Sequence, residues 1–160
     1  MRLSKNYSGH QIDVLVLDVP DSIEGAVPPA FSNNFRIAAG LQKLAQIYII
    51  KLFTALESKV LDKERGTAIG DLLVGQVSTT EDFLNHIINV GHVETVAEIF
   101  EDQELRIDDD KVIPDDEFLV EADLVDLVIL DPSSVKFTVR ITTNDSTGTY
   151  IIPIRFPVGS

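Results

Sequence analysis

The chain contains no cysteine and no tryptophan in its 160 residues. Without cysteine it has no disulfide scaffold, thiolate zinc site, iron–sulfur cluster or cysteine nucleophile. Cations are also scarce, because 13 Lys and Arg face 26 Asp and Glu and leave a formal net charge of −13. Such a charge repels polyphosphate and argues against a general nucleic-acid-binding protein. A chain of this length buries roughly 70% of its unfolded surface, so one domain, with or without an arm, needs no covalent support.

Long uninterrupted apolar runs are missing as well. The apolar stretch at 14–17 is too short for the core of a signal peptide. The most apolar long segment, 37–56, falls short of the roughly 20 nearly uninterrupted apolar residues that a bilayer span needs. Four polar residues interrupt it: Gln42, Lys43, Gln46 and Lys51. We therefore expect a soluble protein that keeps its first residues and has no membrane partner.

The acidic residues are concentrated in one stretch. Residues 98–131 hold 2 basic and 14 acidic side chains, a net charge of −12, and are densest at 101–117. Three interpretations are open: a solvated loop or helix end, a docking surface for a basic partner, and a divalent-cation site. A calcium loop of the EF-hand type starting at Asp108 would need glycine and glutamate at its sixth and twelfth positions, where Ile113 and Leu119 stand.

The first third of the chain predicts an arm followed by a helix. Residues 12–19 have the composition of a short strand, and the glycine and prolines at 20–35 predict an extended segment, so 1–35 is expected to be an arm with one short strand. Residues 36–57 repeat apolar side chains at spacings of three and four, which predicts a helix. Its apolar face is broad enough for a central helix or one partly packed on a neighbouring chain. Its wetter side is expected to carry Lys43, Gln46 and Thr54.

A second helical region is predicted after a loop at 58–77 that contains a short helical turn. Ser78 and Glu81 form a capping box, in which each side chain satisfies an amide at the helix start. The pattern continues to about Phe100, and Gly91 is placed to break the helix in two.

The last third changes to a period of two, which predicts strands at 118–130, 135–142 and 150–156 joined by short turns. On the first strand, Phe118, Val120, Ala122 and Leu124 are expected to share one face. Pro153 cannot donate to a ladder and favours an edge position for the last strand. The predicted fold class is α+β: an N-terminal arm, two main helical regions and a three-stranded antiparallel meander, with 36–160 as a single domain.

No motif for catalysis stands out. The sequence has no GxSxG, HExxH or GxxxxGK[ST] pattern. We interpret His10, His86 and His92 as ordinary surface or core histidines. Asp82 and His86 are spaced to share a metal, but two ligands do not make a site. We therefore expect no enzymatic activity and no catalytic, cofactor-binding or metal-binding residues. The open edge of the meander instead favours assembly, since a free strand edge pairs readily with another chain.

Four short stretches carry a resemblance to a known family. They are Leu52-Phe53-Thr54, Gly66-Thr67-Ala68-Ile69-Gly70, Glu104-Leu105-Arg106-Ile107 and Thr142-Thr143-Asn144. Together with the order of elements, they make residues 36–157 similar to the baseplate wedge and sheath-initiator proteins of contractile phage tails, the protein-W-like or lysozyme-like wedge family. The chain has leucine where the family's Glu-Pro-Arg motif has proline, and it lacks the usual Gly-Glu after the first helix.

The resemblance implies a wedge-like domain in the virion tail baseplate, assembled in the host cytoplasm. The implied partners are larger wedge proteins and the tail sheath protein, with tail tube or hub proteins as further candidates and no nucleic acid. It implies that Glu104, Arg106 and Ile107 orient the helix-to-sheet junction or contact the wedge. The strand edge expected to accept sheath strands carries Tyr150, Ile152, Ile154 and Phe156. Two alternatives stay open: another small virion adaptor, such as a neck or tail-completion protein, and a glycan hydrolase or ligand-binding module.

Overall fold

The fold is α+β, as the sequence predicts, and among the elements whose bounds the structure describes, two helices are followed by a three-stranded antiparallel sheet. The computed structural model describes residues 13–14, 37–54, 66–67, 69, 81, 85, 90–131 and 134–155. Within that part of the chain, no helix is long and apolar enough to cross a bilayer. The elements are β1 (Asp13–Val14), β2 (Ile37–Ala38), α1 (Gly40–Phe53), α2 (His92–Asp108), β3 (Leu119–Asp131), β4 (Ser134–Thr143) and β5 (Thr147–Arg155).

Helix α1 begins later than its apolar pattern suggests. Ile37 and Ala38 were expected in its first turn, but they pair antiparallel with Asp13 and Val14 as a two-stranded ladder. The chain then turns into the helix at Gly40, whose φ of 59° is a conformation that glycine adopts without strain. The described part of the predicted 12–19 strand is therefore attached to the start of the domain, and the proposed boundary at 35 stays a prediction.

Helix α1 lies at the centre of the fold, as its broad apolar face predicts. It packs on the sheet and on α2, and of its described side chains only Ile50 is exposed. The expectation that Lys43 and Gln46 face water is wrong, because both are buried, as is Lys51. Carboxylates from elsewhere in the chain meet the two ammonium groups, and this pairing lets charged residues lie inside.

Helix α2 ends later than expected and includes part of the acidic stretch. A π-helical turn at Val90 and Gly91 precedes it, at the glycine where the sequence predicts a break. A side chain on Gly91 would collide with Ile69. The helix continues past Phe100 to Asp108, because a buried stripe with a spacing of four keeps it against the core. That stripe consists of Thr95, Ile99 and Gln103.

The sheet has the order β3-β4-β5, with β5 at one edge as Pro153 predicts. Strand β4 is central and buries alternate residues, as expected. Strand β3 does not keep one phase: its pairing with β4 shifts register at three places, between Leu119/Glu121, Leu124/Asp126 and Ile129/Asp131. The first shift buries Leu119 and exposes Val120, so the prediction that Val120 shares a face with Ala122 is wrong.

One hydrophobic core joins these elements. It forms where α1 covers the inner face of the sheet, and Gly148 of β5 lies so close to Leu41 that a side chain there would collide with it. The buried core consists of Leu44, Ala45, Tyr48, Ile49, Leu52, Ile69, Ile99, Leu119, Val135, Phe137, Val139, Ile141, Tyr150 and Ile152.

Candidate functional site

The outer side of α2 carries a row of exposed residues that we call the outer seam. Its members follow the spacing 4-3-4-3, which places them along one stripe of the helix. Three of them are large and apolar, with Val93 60%, Phe100 37% and Ile107 53% exposed. The full seam is Val93, Ala97, Phe100, Glu104 and Ile107. Since the buried stripe of α2 lies on its other side, the helix presents two faces: one toward the core and one unoccupied by the described residues.

The three residues predicted to orient the junction or contact the wedge do not lie together. Glu104 and Ile107 belong to the outer seam and are exposed. Arg106 is half-buried and lines a groove between α1 and α2. Its side chain makes no hydrogen bond or ion pair with the described residues, and its Nε atom is buried without an acceptor. The three residues therefore divide between two adjacent surfaces.

The contact that fixes the helix to the sheet belongs to Gln103. The backbone N–H of Leu119 donates to Gln103 Oε1 at 2.6 Å, and Gln103 Nε2 donates to the Leu119 carbonyl oxygen at 3.2 Å. The side chain thus pairs with the backbone at the first residue of β3. The resemblance implied that Glu104 and Arg106 orient this junction. In the structure, the contact is made by the buried side-chain amide of Gln103.

The acidic stretch supplies a partner to the start of α1. Glu117 is buried, and its Oε2 accepts from Lys43 Nζ at 2.7 Å. Its Oε1 accepts from the backbone N–H of Gly40 at 3.3 Å. The carboxylate therefore caps the beginning of the helix from a distant part of the chain, where the helix dipole also favours a negative charge.

A second buried cation joins α1 to α2. Lys51 Nζ lies 2.9 Å from Glu98 Oε2 and 2.8 Å from Asp102 Oδ2. Glu98 also accepts from the backbone N–H of Gly66 at 2.7 Å. A solvated loop thus does not describe Glu98, Asp102 or Glu117. The exposed acids around 108–110 remain consistent with it. In the part of the chain that the structure describes, no group of three or more His, Asp or Glu is placed to hold a metal.

His92, the first residue of α2, connects three elements. Its Nδ1 lies 2.8 Å from the Tyr48 hydroxyl, and the ring also makes a hydrogen bond with the backbone of Ala122. Burial raises the pKa of Tyr48 well above its usual value, so the phenol keeps its proton in the hydrogen bond with His92. Burial also lowers the pKa of His92, against the opposing effects of the Ala122 hydrogen bond and the Asp123 charge. His92 is therefore a structural link, consistent with a core histidine.

The groove beside Arg106 is a cavity of about 300 Å³ between α1 and α2. Apolar side chains and charged groups share its lining. Its residues are Lys43, Leu44, Ile47, Ile99, Asp102, Gln103, Leu105, Arg106, Asp109, Lys111 and Glu117.

The predicted augmentation edge is only partly within the described residues. Tyr150 and Ile152 are buried in the core, so an added strand would meet the backbone of β5 and not these side chains. Ile154 pairs with Val135, and Phe156 lies outside the described residues. From Ser134↔Arg155 to Thr142↔Thr147, the pairing of β5 with β4 shows no register shift.

Sequence reasoning missed Gln103, Glu117 and the buried state of Lys43 and Lys51. A signal for the lysines was present. Both lie within a helix predicted to be buried on more than one side, and a buried ammonium group needs a carboxylate partner. No comparable signal distinguishes Glu117 from the other acids around it.

No protein-family model matches the chain, and no curated protein or solved structure is similar enough to count as a match.

Proposed function

We propose that the chain is a structural component of a contractile phage tail baseplate. It joins larger wedge proteins and offers a strand edge from which the first tail sheath subunits attach. The order of its elements and the four motif stretches around Thr54, Gly66, Arg106 and Thr143 support the baseplate assignment by resemblance. The observation that carries the assembly role is the outer seam of α2.

The outer seam has the spacing that packs against another helix. Apolar residues alternating at four and three form knobs that insert into holes on a facing helix. Fully burying a side chain such as Val93, Phe100 or Ile107 contributes about 1.5–3 kcal/mol relative to leaving it exposed. Glu104 interrupts the apolar series near the end of α2, where its charge would set the register of the partner helix. We infer that a helix of a larger wedge protein binds here.

Strand β5 is the better edge for strand addition. Its pairing with β4 is regular along the whole strand, whereas β3 at the other edge carries three register shifts. Proline is tolerated at an edge where its nitrogen faces away from the neighbouring strand. The alternate residues Thr149 and Ile151 then also direct their amides outward. The open edge thus keeps these two N–H donors for a sheath strand.

The seam is tested by co-expressing the chain with the wedge and sheath proteins encoded beside it. Phe100→Asp should abolish co-purification with the larger wedge proteins, because it places a charge in the helix–helix contact. Val112→Asp is the matched control, since Val112 is exposed but lies outside the seam. Normal wedge assembly by the Phe100 variant, or cleavage of cell-wall glycan that a single carboxylate substitution abolishes, would overturn the proposal.

The sheath role is tested separately at the β5 edge. Thr149 is exposed, and Thr149→Pro removes one outward amide without removing a bond to β4. We expect wedges containing this variant to assemble but not to start sheath polymerisation. Thr149→Ser keeps the amide and should behave like the natural chain. Sheath polymerisation at the normal rate on Thr149→Pro wedges would exclude β5 as the attachment edge.

A further inference from the structure

We propose that the groove between α1 and α2 is a binding site for a carboxylate-bearing side chain of a partner protein, with Arg106 as the anion-binding residue. The site does not depend on the baseplate role, since it rests on the charges and lining of the groove alone. Its lining includes the apolar side chains of Leu44, Ile47 and Ile99, and Arg106 contributes a cationic group.

The other cations of the groove already have partners. Lys43 pairs with Glu117 at 2.7 Å, and Lys111 pairs with Asp109 at 2.8 Å. Asp102, an acid of the lining, is held by Lys51 at 2.8 Å. Arg106 makes no ion pair or side-chain hydrogen bond among the described residues, although its Nε–H is buried. A buried donor without an acceptor destabilises the free protein, and an acceptor bound in the groove would remove that cost.

The ligand chemistry follows from the shape of guanidinium and from its neighbours. A guanidinium binds a carboxylate through two parallel N–H···O bonds, a geometry that a single ammonium group does not offer. A phosphate would also fit this fork, but its second negative charge would lie near Asp102 and Asp109. A carboxylate carries one charge and meets less repulsion.

The size of the groove indicates a peptide anchor. About 300 Å³ is at the lower end of the range for ligand pockets and suits a few side chains better than a large cofactor. The lining includes Leu105, which is 51% exposed, so the groove continues onto exposed apolar surface. The occupant is therefore a protein segment in which an acidic residue adjoins bulky apolar residues.

The test uses the full chain labelled with ¹⁵N and the Nε–H resonance of Arg106. Two capped peptides serve as probes, acetyl-Leu-Glu-Leu-Leu-amide and the same peptide with glutamine in place of glutamate. We expect the glutamate peptide to shift the Arg106 resonance and to bind at least about tenfold more tightly, the factor expected when a charge-assisted hydrogen bond replaces a neutral one. Arg106→Gln should remove this difference. Arg140→Gln should keep it, since Arg140 pairs with Asp123 on an exposed part of the sheet.

Two results would overturn the proposal. One is equal binding of the glutamate and glutamine peptides to the natural chain, which decides the question even if Arg106→Gln fails to fold. The other is an Arg106 shift of the same size with inorganic phosphate at equal concentration, which would show an unspecific anion site.

Discussion

Helices α1 and α2 differ in how they distribute charged and apolar side chains. Helix α1 buries lysines at both of its ends and exposes a single large apolar residue, Ile50. Helix α2 exposes Val93, Phe100 and Ile107 and uses a partly polar stripe to face the core. The carboxylates that neutralise α1 come from α2 and from the segment that follows it.

This difference separates the residues that fix the internal arrangement of the domain from those that face outward. Buried ion pairs are weak evidence of stability, since desolvation costs about as much as the pairing returns, but a missing partner is costly. The lysines of α1 therefore fix where α2 and β3 lie. The apolar residues on the outside of α2 contribute little to that arrangement and are available to another chain.

Removing the carboxylate partner of a buried lysine in α1 should cause the largest loss of stability. Glu117→Gln removes the carboxylate charge that lies 2.7 Å from the buried Lys43 ammonium, and we expect the free energy of unfolding to fall by about 3–5 kcal/mol in urea titrations. Asp109→Asn, which breaks the exposed pair with Lys111, should cost less than about 1 kcal/mol. The double variant Lys43→Met with Glu117→Leu should recover most of the loss. A Glu117→Gln chain as stable as the natural one would remove the basis for the comparison.

Replacing Gln103, whose side-chain amide joins α2 to β3, should cause the next largest loss of stability. Gln103→Leu leaves the N–H and C=O of Leu119 without partners, and we expect a loss of about 2–4 kcal/mol in the same titration. Gln42→Leu is a matched control on α1, because the amide nitrogen of Gln42 is buried without an acceptor and its loss should not destabilise. Equal losses for the two variants would mean that the Gln103 contact does not anchor the strand.

The smallest expected effect is a pH dependence at the link between the helices. Since burial lowers the pKa of His92, the unfolded chain takes up a proton first as the pH falls below about 6.5. Stability contributed by the neutral ring is complete above that pH and is lost as the pH falls toward the lower folded pKa. His92→Gln should flatten this part of the stability–pH curve, with Tyr48, Asp123 and the other acids unchanged. Identical curves for both chains would exclude His92 as the cause.

Much of the fold could be predicted because its signals are local. The periods of α1 and β4 and the edge position of Pro153 each follow from neighbouring residues, and Gly91 marks a π-helical turn where a break was expected. The first turn of α1 was misplaced because Ile37 and Ala38 pair with Val14 and Asp13 of β1, which lie 23 and 25 positions earlier in the chain. The residues that share a face of β3 were predicted wrongly, because the strand shifts register and the alternation of side chains does not reveal such shifts.

The candidate site was harder to predict, because it depends on contacts across the fold. Glu104 and Arg106 were chosen from a motif, while Gln103, one position away, makes the contact to the sheet. Charge density alone did not distinguish Glu117, which serves the core, from Asp110, which faces solvent with a φ of 56° at the end of the helix. Only the packed arrangement shows which acids are paired.

The three register shifts of β3 have a consequence for solubility. This strand is the second edge of the sheet and exposes Val125, Ile129 and Leu130, a composition that would favour edge-to-edge stacking into fibrils if the strand were flat. Each bulge bends and twists the backbone, so a second copy cannot continue the ladder in regular register. The irregular strand thus opposes self-association at this edge, whereas β5 is the edge whose pairing with β4 is regular.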